Sequence, residues 1–552
     1  MANEIYHRSN WGNAVNDIAW GDVYEKFDAT NEMFVRSDNY ENSNETDKLM
    51  AAINPKPSIL LTPTAYDNGS LHSVKPVLSP FADFDFTRGT TATRVNEQGL
   101  IEDVQILSGE LVQNGDFDTD SDWVKGTGWT ISGGKANAVN ASNQSLSQST
   151  SSVLLNKKYR ISFDVEYISG SAKFQLVGGT AQDVITITSS GTKVIEVVSD
   201  ANKTSYRIKG LTTGSGFNGS IDNISIIEIT DETDLPRIDY TDGTGSLLLE
   251  PQSTNLLPYS EDFSQWNALG DTSIEGGYLA PDGSNTAYKV SGGSSLLNFN
   301  NVSNETQTRT IYAKTVSGTG QAHLTSYFGN TNNLFTLNEN WQRFEVNGTT
   351  TSTGAANFYA IDFRGSTDLT EVIIWGAQLE ELSYATSYIP TSGSTVTRDA
   401  DAANNSGSSD LINSTEGVLY CEIAALADNL TFRGIALSDG TTENRVMLRY
   451  RTTTNQINLF IRADSTTIVN STKALTDITN YSKIAIKYKS GDIALWVDGV
   501  EAKTHTNTFT LIGLDRLNFD AGNGSDDFYG KVKSVAVFKE ALTDEELTAL
   551  TT

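Results

Sequence analysis

Cysteine is almost absent from this 552-residue chain, and a single Cys421 excludes an internal disulfide framework. It falls in residues 418–423, where apolar residues alternate with others as along a half-buried strand. A buried, inert thiol is therefore expected there rather than a nucleophile. No apolar run reaches the roughly 18 residues that a membrane helix needs, and Met1–Asn10 has no apolar stretch of the kind a signal peptide carries. The chain is expected to be made in a cytoplasm and not to insert into a membrane. Clusters of Lys and Arg are missing and the formal net charge is −29, which argues against a nucleic-acid partner, since phosphate backbones are held by basic patches. Catalytic signatures are missing too. There is no GxSxG, HExxH or P-loop, and His7, His72, His323 and His505 fall in separate segments without metal-ligand spacing. Two carboxylates suffice for a glycosidase, so 68 acidic residues leave that chemistry open, but binding is favoured over catalysis and no catalytic residue is assigned.

What is present is a composition rich in Thr, Ser, Asn and Asp, with apolar residues in short alternating runs. This predicts an all-β protein of several units, because the length is too great for one core. In the last 72 residues Ile484, Ile486 and Tyr488 alternate, Lys489-Ser490-Gly491-Asp492 turns, and Ile493, Leu495 and Val497 alternate again. That pattern predicts a hairpin. Thr543 with Glu546 predicts a capping box, and Leu542 with Leu547 a hydrophobic staple, at the start of a short final helix. At the other end, Trp11, Val15, Ile18, Val23 and Phe27 are spaced loosely as one helical face, and residues 46–53 suit a second short helix ended by Asn54-Pro55-Lys56-Pro57. Residues 1–57 are too poor in apolar side chains for a core of their own. They are read either as an anchor that docks on another protein or as a disordered tail.

The strand pair ending in "WVDGV" and the later "FYGKVKSVAVFKEALTDEEL" resemble the laminin-G-like, concanavalin-type lectin domain over roughly residues 406–552. Two other stretches repeat each other. Residues 111–230 open with "LVQNGDF" and Trp123 and close with "IDNISI"; residues 255–390 open with "NLLPYSEDF" and Trp266 and close with "VIIWGAQLE". Both are similar to carbohydrate-binding modules of the galactose-binding-like sandwich class, and matching ends mark an internal repeat. Three further segments, "FTRGTTATRVNEQGLIE", "PRIDYTDGTGSLLLEPQSTNLL" and "SYIPTSGSTVTR", resemble connectors in tail-fibre and other appendage proteins of bacterial viruses.

The expected organisation is an N-terminal virion anchor (1–57), connector strands (58–110), a first carbohydrate-binding-module-like sandwich (111–230), a connector (231–254), a second such sandwich with its connector (255–402) and a concanavalin-like domain (403–552). The resemblance implies a bacteriophage tail or head fibre located in the virion. It would be held to other virion proteins by residues 1–57, form a homotrimer and recognise host-surface glycans. A purely architectural spacer without sugar binding is the alternative, and a polysaccharide depolymerase a third.

Sugar sites pair an aromatic face with amides and carboxylates. Trp123, Trp129, Trp266 and Tyr278 are the candidates, although a Trp at an equivalent repeat position also suits a sandwich core. In such modules the opening and closing segments often share a structural calcium, and the matching positions are Asp116, Asp118 and Asp222. The second copy offers Asp262, Gln378 and Glu380, and the terminal domain Asp439, Asp498, Asp526 and Asp527.

Overall fold

The computed structural model describes residues 24–28, 33–36, 56–63, 66–67, 70–73, 82–212, 216–293, 295–300, 306–324, 334–349 and 358–552. It is all-β, built as three two-sheet sandwiches in tandem. Among the described residues there is one α-helix, Asp544–Thr551, and no helix long and apolar enough to cross a membrane. Of the two helices expected in residues 1–57, the second and most of the first lie outside the described residues. Phe27, the last position of the expected helical face, stands instead in strand Tyr24–Asp28, which pairs with Met33–Arg36. Aromatic residues suit a strand as well as a helix, and loose spacing did not separate the two.

The first sandwich packs a six-stranded sheet centred on Phe217–Asp231 and Lys158–Ser169 against a five-stranded sheet centred on Ser205–Gly210. Period-two alternation along Lys158–Ser169 sends Tyr159, Ile161, Phe163 and Val165 into the core. The opening and closing motifs meet as the repeat suggested. Ile224 donates its backbone N–H to the Gly115 carbonyl at 2.9 Å. A side chain at Gly115 would put its Cβ 2.0 Å from the Ile224 carbonyl oxygen, so only glycine allows this approach.

The second sandwich repeats the plan with two five-stranded sheets. Its opening tryptophan plays the same part. Trp123 Nε1 donates to the Asn114 carbonyl at 2.9 Å, and Trp266 Nε1 to the Tyr259 carbonyl at 3.0 Å. Each indole packs on the Phe of its opening motif and edge-on to a core tyrosine: Phe117–Trp123–Tyr206 in one module, Phe263–Trp266–Tyr359 in the other.

In the third sandwich, Ser482–Lys489 and Ile493–Val497 form the expected hairpin. Thr543 and Glu546 close the capping box, and Leu542 and Leu547 are buried together. The Cys421 thiol lies fully buried mid-strand, where burial raises its pKa. This sandwich also recruits strands from far upstream. Ile59–Leu61 and Ser246–Leu249 both pair along one edge of Gly530–Phe538, while Glu416–Ala425 pairs along the other. Ile59, Leu61, Phe84, Phe86, Ile238, Leu247 and Leu249 accordingly belong to its hydrophobic core.

Candidate functional site

The three connector segments singled out in the sequence come together in space. Arg88 Nη1 lies 2.9 Å from Asp401 Oδ1, and Arg237 bridges Asp401 and Glu250, its Nη1 being 2.7 Å from Glu250 Oε2. Arg398 Nη1 stands 2.8 Å from the same Glu250 oxygen. All five side chains are at most 3 % exposed. Hydrogen bonds complete the set: Glu250 accepts from the Ser387 N–H and hydroxyl, both at 2.7 Å, and Asp401 from the Glu250 N–H at 2.8 Å. Burial would raise the Glu250 pKa, but the Arg398 and Arg237 guanidiniums hold it down at about 2. Isolated charges could not stay ionised here, whereas a network of charge-assisted hydrogen bonds can, although Arg88 Nη2, Arg237 Nε and Arg398 Nε have no hydrogen-bond partner in it.

Beside this network, at the meeting of the second sandwich, the connectors and the third sandwich, opens a cleft of about 790 Å³. Its walls carry Tyr240 and Tyr312, the carboxylates Asp239, Asp242 and Glu345, the cations Arg343 and Lys531, and the amides Asn96 and Gln98. Tyr240 and Tyr312 are half-buried, and the Arg343 guanidinium lies over the Tyr312 ring at 5.5 Å. Lys531 is paired with Asp242 at 2.7 Å. Half-buried aromatic rings set among hydroxyls, amides and paired charges are what a saccharide needs for stacking and for its hydroxyls.

A second cleft of about 390 Å³ lies where the first and second sandwiches approach. Glu102, Asp103, Glu196, Glu261 and Asp282 line it with Arg160 as the one cation. Burial pushes Glu261 up to about 7, reinforced by Asp282 and Asp103, although the Tyr388 hydroxyl donates to it at 2.9 Å. Burial and then Glu196 push Asp103 up to about 6. A carboxyl whose folded pKa is raised contributes stability that is complete below its ordinary pKa and is lost as pH rises through the folded value. The melting temperature of this junction should therefore fall as pH rises from about 4.5 to about 7. Glu261→Gln should flatten that fall in a pH series of thermal unfolding curves.

The sequence candidates lie elsewhere. Trp123, Trp129 and Trp266 are 7 %, 4 % and 4 % exposed and fill the sandwich cores. Trp129 stacks on Phe217, and its N–H points to the Gln144 carbonyl. Tyr278 is half-buried beside Lys289, whose ammonium sits 5.6 Å from the ring, and donates its hydroxyl to Glu275 at 3.0 Å. It packs on the small cluster that contains Trp375 and Tyr388, next to the second cleft and not on its wall. Asp116 and Asp118 are exposed and Asp222 is half-buried, with Asp222 Oδ1 accepting from the Asn223 N–H. Among the described residues no three His, Cys, Asp or Glu side chains stand close enough to hold a metal ion. A calcium at this place would have to draw most of its six to eight oxygens from backbone carbonyls, side-chain amides or hydroxyls and water.

Residues 425–548 match the Laminin_G_3 family model, described as the concanavalin A-like lectin/glucanases superfamily. Among solved structures, the chain is similar to the CBM40 of Ruminococcus gnavus IT-sialidase bound to alpha2,3 sialyllactose, with 15% identity over 27% of this chain and 92% of that one and a TM-score of 0.22. It is also similar to domain 4 of AbnA, a GH43 extracellular arabinanase from Geobacillus stearothermophilus, in complex with arabinotriose, at 14% identity, 31% and 81% coverage and a TM-score of 0.24. A heptameric SAP-like pentraxin from Limulus polyphemus matches at 12% identity, 24% and 69% coverage and a TM-score of 0.21. No curated protein matches the chain.

Proposed function

We propose that this protein is a non-catalytic glycan-binding fibre protein of a bacteriophage virion, whose β-sandwich modules recognise host-surface saccharides. Residues 1–57 would hold it to other virion proteins, and a homotrimer would multiply weak sites. The observation that carries glycan recognition is the 790 Å³ cleft at the module junction, where Tyr240 and Tyr312 stand among carboxylates, amides and cations. The virion role rests on the likeness of the three connectors to those of viral appendages. Calcium enters the proposal only at the opening loop of the first sandwich, where chelation would lower that module's melting temperature.

One stacked ring contributes about 0.5–1.5 kcal/mol beyond its buried area, so a single cleft binds weakly. Several copies on one particle raise avidity by roughly 10²–10⁴ without new contacts. Tyr240→Ala should therefore weaken saturable binding of the full chain to host cells by about tenfold or more while leaving its melting temperature within a few degrees. Unchanged binding would remove the cleft from the account. The burial of the three indoles motivates a second reading, an architectural spacer, which predicts no saturable binding to any glycan.

A further inference from the structure

The outer face of the five-stranded sheet in the third sandwich is chemically unlike the rest of a chain that carries 29 excess negative charges. Alternation along Arg445–Tyr450 and Gln456–Ala463 buries Val446, Leu448, Ile457, Leu459 and Ile461 in the main core. The intervening positions turn arginines to the other side.

There the cations and rings form a ladder. The Arg449 guanidinium lies between two rings, 4.5 Å from the Phe432 centroid and 4.6 Å from that of Phe460. Arg445 covers Phe460 at 5.0 Å and Arg451 covers Phe432 at 5.8 Å. Arg462 is the cross-strand partner of Arg445. Among the described residues no carboxylate stands within ion-pair distance of any of these four arginines. Arg445 is 7 % exposed and donates Nη1 to the Ala521 carbonyl at 2.6 Å, while its Nε has no hydrogen-bond partner, so it backs the ladder from beneath. Burial and then mutual repulsion, from Arg462 on Arg445 and from Arg445 and Arg451 on Arg449, lower both pKa values. Asp526 and Asp520 act electrostatically on Arg445 without an ion-pair contact, and Asp520 is engaged by the backbone N–H groups of its own loop.

Stacking on aromatic faces fixes a guanidinium's plane and leaves its edge donors free. Arg449 uses Nε on the Asn458 side-chain oxygen at 2.9 Å and Arg462 uses Nε on the Ser465 carbonyl at 3.0 Å, so the terminal nitrogens of both remain available.

We propose that this face is an anion-recognition site for a saccharide bearing carboxylate or sulfate groups. It extends the glycan-binding reading to a different module and does not depend on the junction cleft. Arg462 stands opposite Arg445, four positions along the strand pair from Arg449, about 13 Å at the usual rise, so the two available guanidiniums suit a polymer with charges at intervals. A nucleic acid, with one charge per about 1.7 Å of duplex, needs a denser basic surface than four arginines on an acidic protein supply.

The test is titration calorimetry of the full chain at low salt with polygalacturonate, dextran sulfate, neutral dextran and single-stranded DNA. Saturable binding of at least one of the first two is expected, with none of dextran and an affinity that falls as salt is raised. Arg449→Gln and Arg462→Gln should each weaken it tenfold or more, with thermal unfolding verifying the fold. Arg462 stacks on no ring, so its variant serves if Arg449→Gln misfolds. Tyr240→Ala should leave this binding unchanged, which separates failure of the ladder from failure of the cleft. Equal binding by the folded arginine variants, no binding of either anionic polysaccharide, or tighter binding of DNA would each overturn the proposal.

Discussion

Replacing Asp401 with Asn should cost about 3–5 kcal/mol, the usual penalty for removing one partner from a buried ion pair. Asp401 is the shared counter-ion of Arg88 and Arg237, and all three side chains are fully enclosed. Without its charge, Glu250 alone would face Arg237 and Arg398, and Arg88 would keep no carboxylate. The loss arises mostly from guanidiniums left buried without compensation, not from the value of a single contact. A surface pair gives the contrast. Asp120→Asn breaks the exposed contact with Lys125 and should change stability by less than about 1 kcal/mol. Because a three-module chain need not unfold in one step, the measurement is differential scanning calorimetry, and the transition that contains the third sandwich should move down. Equal shifts for the two variants would show that the network does not form in solution.

The second large effect is expected from cutting the chain at the boundary that the third sandwich suggests in sequence. A fragment of residues 403–552 lacks Ile59–Leu61, Arg237–Asp239 and Ser246–Leu249, three strands of the eight-stranded sheet. It would expose the edge of Gly530–Phe538 and lose Ile59, Leu61, Phe84, Phe86, Ile238, Leu247 and Leu249 from its core. An uncovered, largely apolar edge strand is a template for aggregation. The fragment should be insoluble or molten, whereas in residues 58–552 the transition that contains the third sandwich should be cooperative. A well-folded 403–552 fragment would mean that the upstream strands are accessories, not members of the sheet.

The capping box at Thr543, the hairpin around Lys489–Asp492 and the repeat's opening and closing motifs were legible because each depends on residues near one another in sequence. The same holds for the connectors as motifs. Their convergence was not legible, because Arg88 and Arg237 stand 313 and 164 residues from Asp401 and a lone Arg in a Thr-rich strand carries no sign of its partner. Trp123 and Trp266 offered two readings, an exposed platform or a core plug, and the structure places both in the core with matched Phe and Tyr neighbours. Substituting Trp266 would thus perturb packing and report poorly on binding. Tyr240, Tyr312 and Arg343 were missed because the cleft exists only between modules, although the "RIDY" connector held the signal. The arginine ladder was missed because Arg-Val-Met-Leu-Arg reads as ordinary strand alternation until the neighbouring strand supplies Phe460 and Arg462.

Glycan recognition is the central claim, and the most direct measurement is binding of the full-length chain to an array of neutral, amino and anionic saccharides, with Tyr240→Ala and Arg449→Gln printed alongside. Saturable binding to a restricted set of glycans is expected, with each variant losing a different part of that set. A folded, correctly assembled protein that binds none of them would contradict the account and leave the architectural reading in its place.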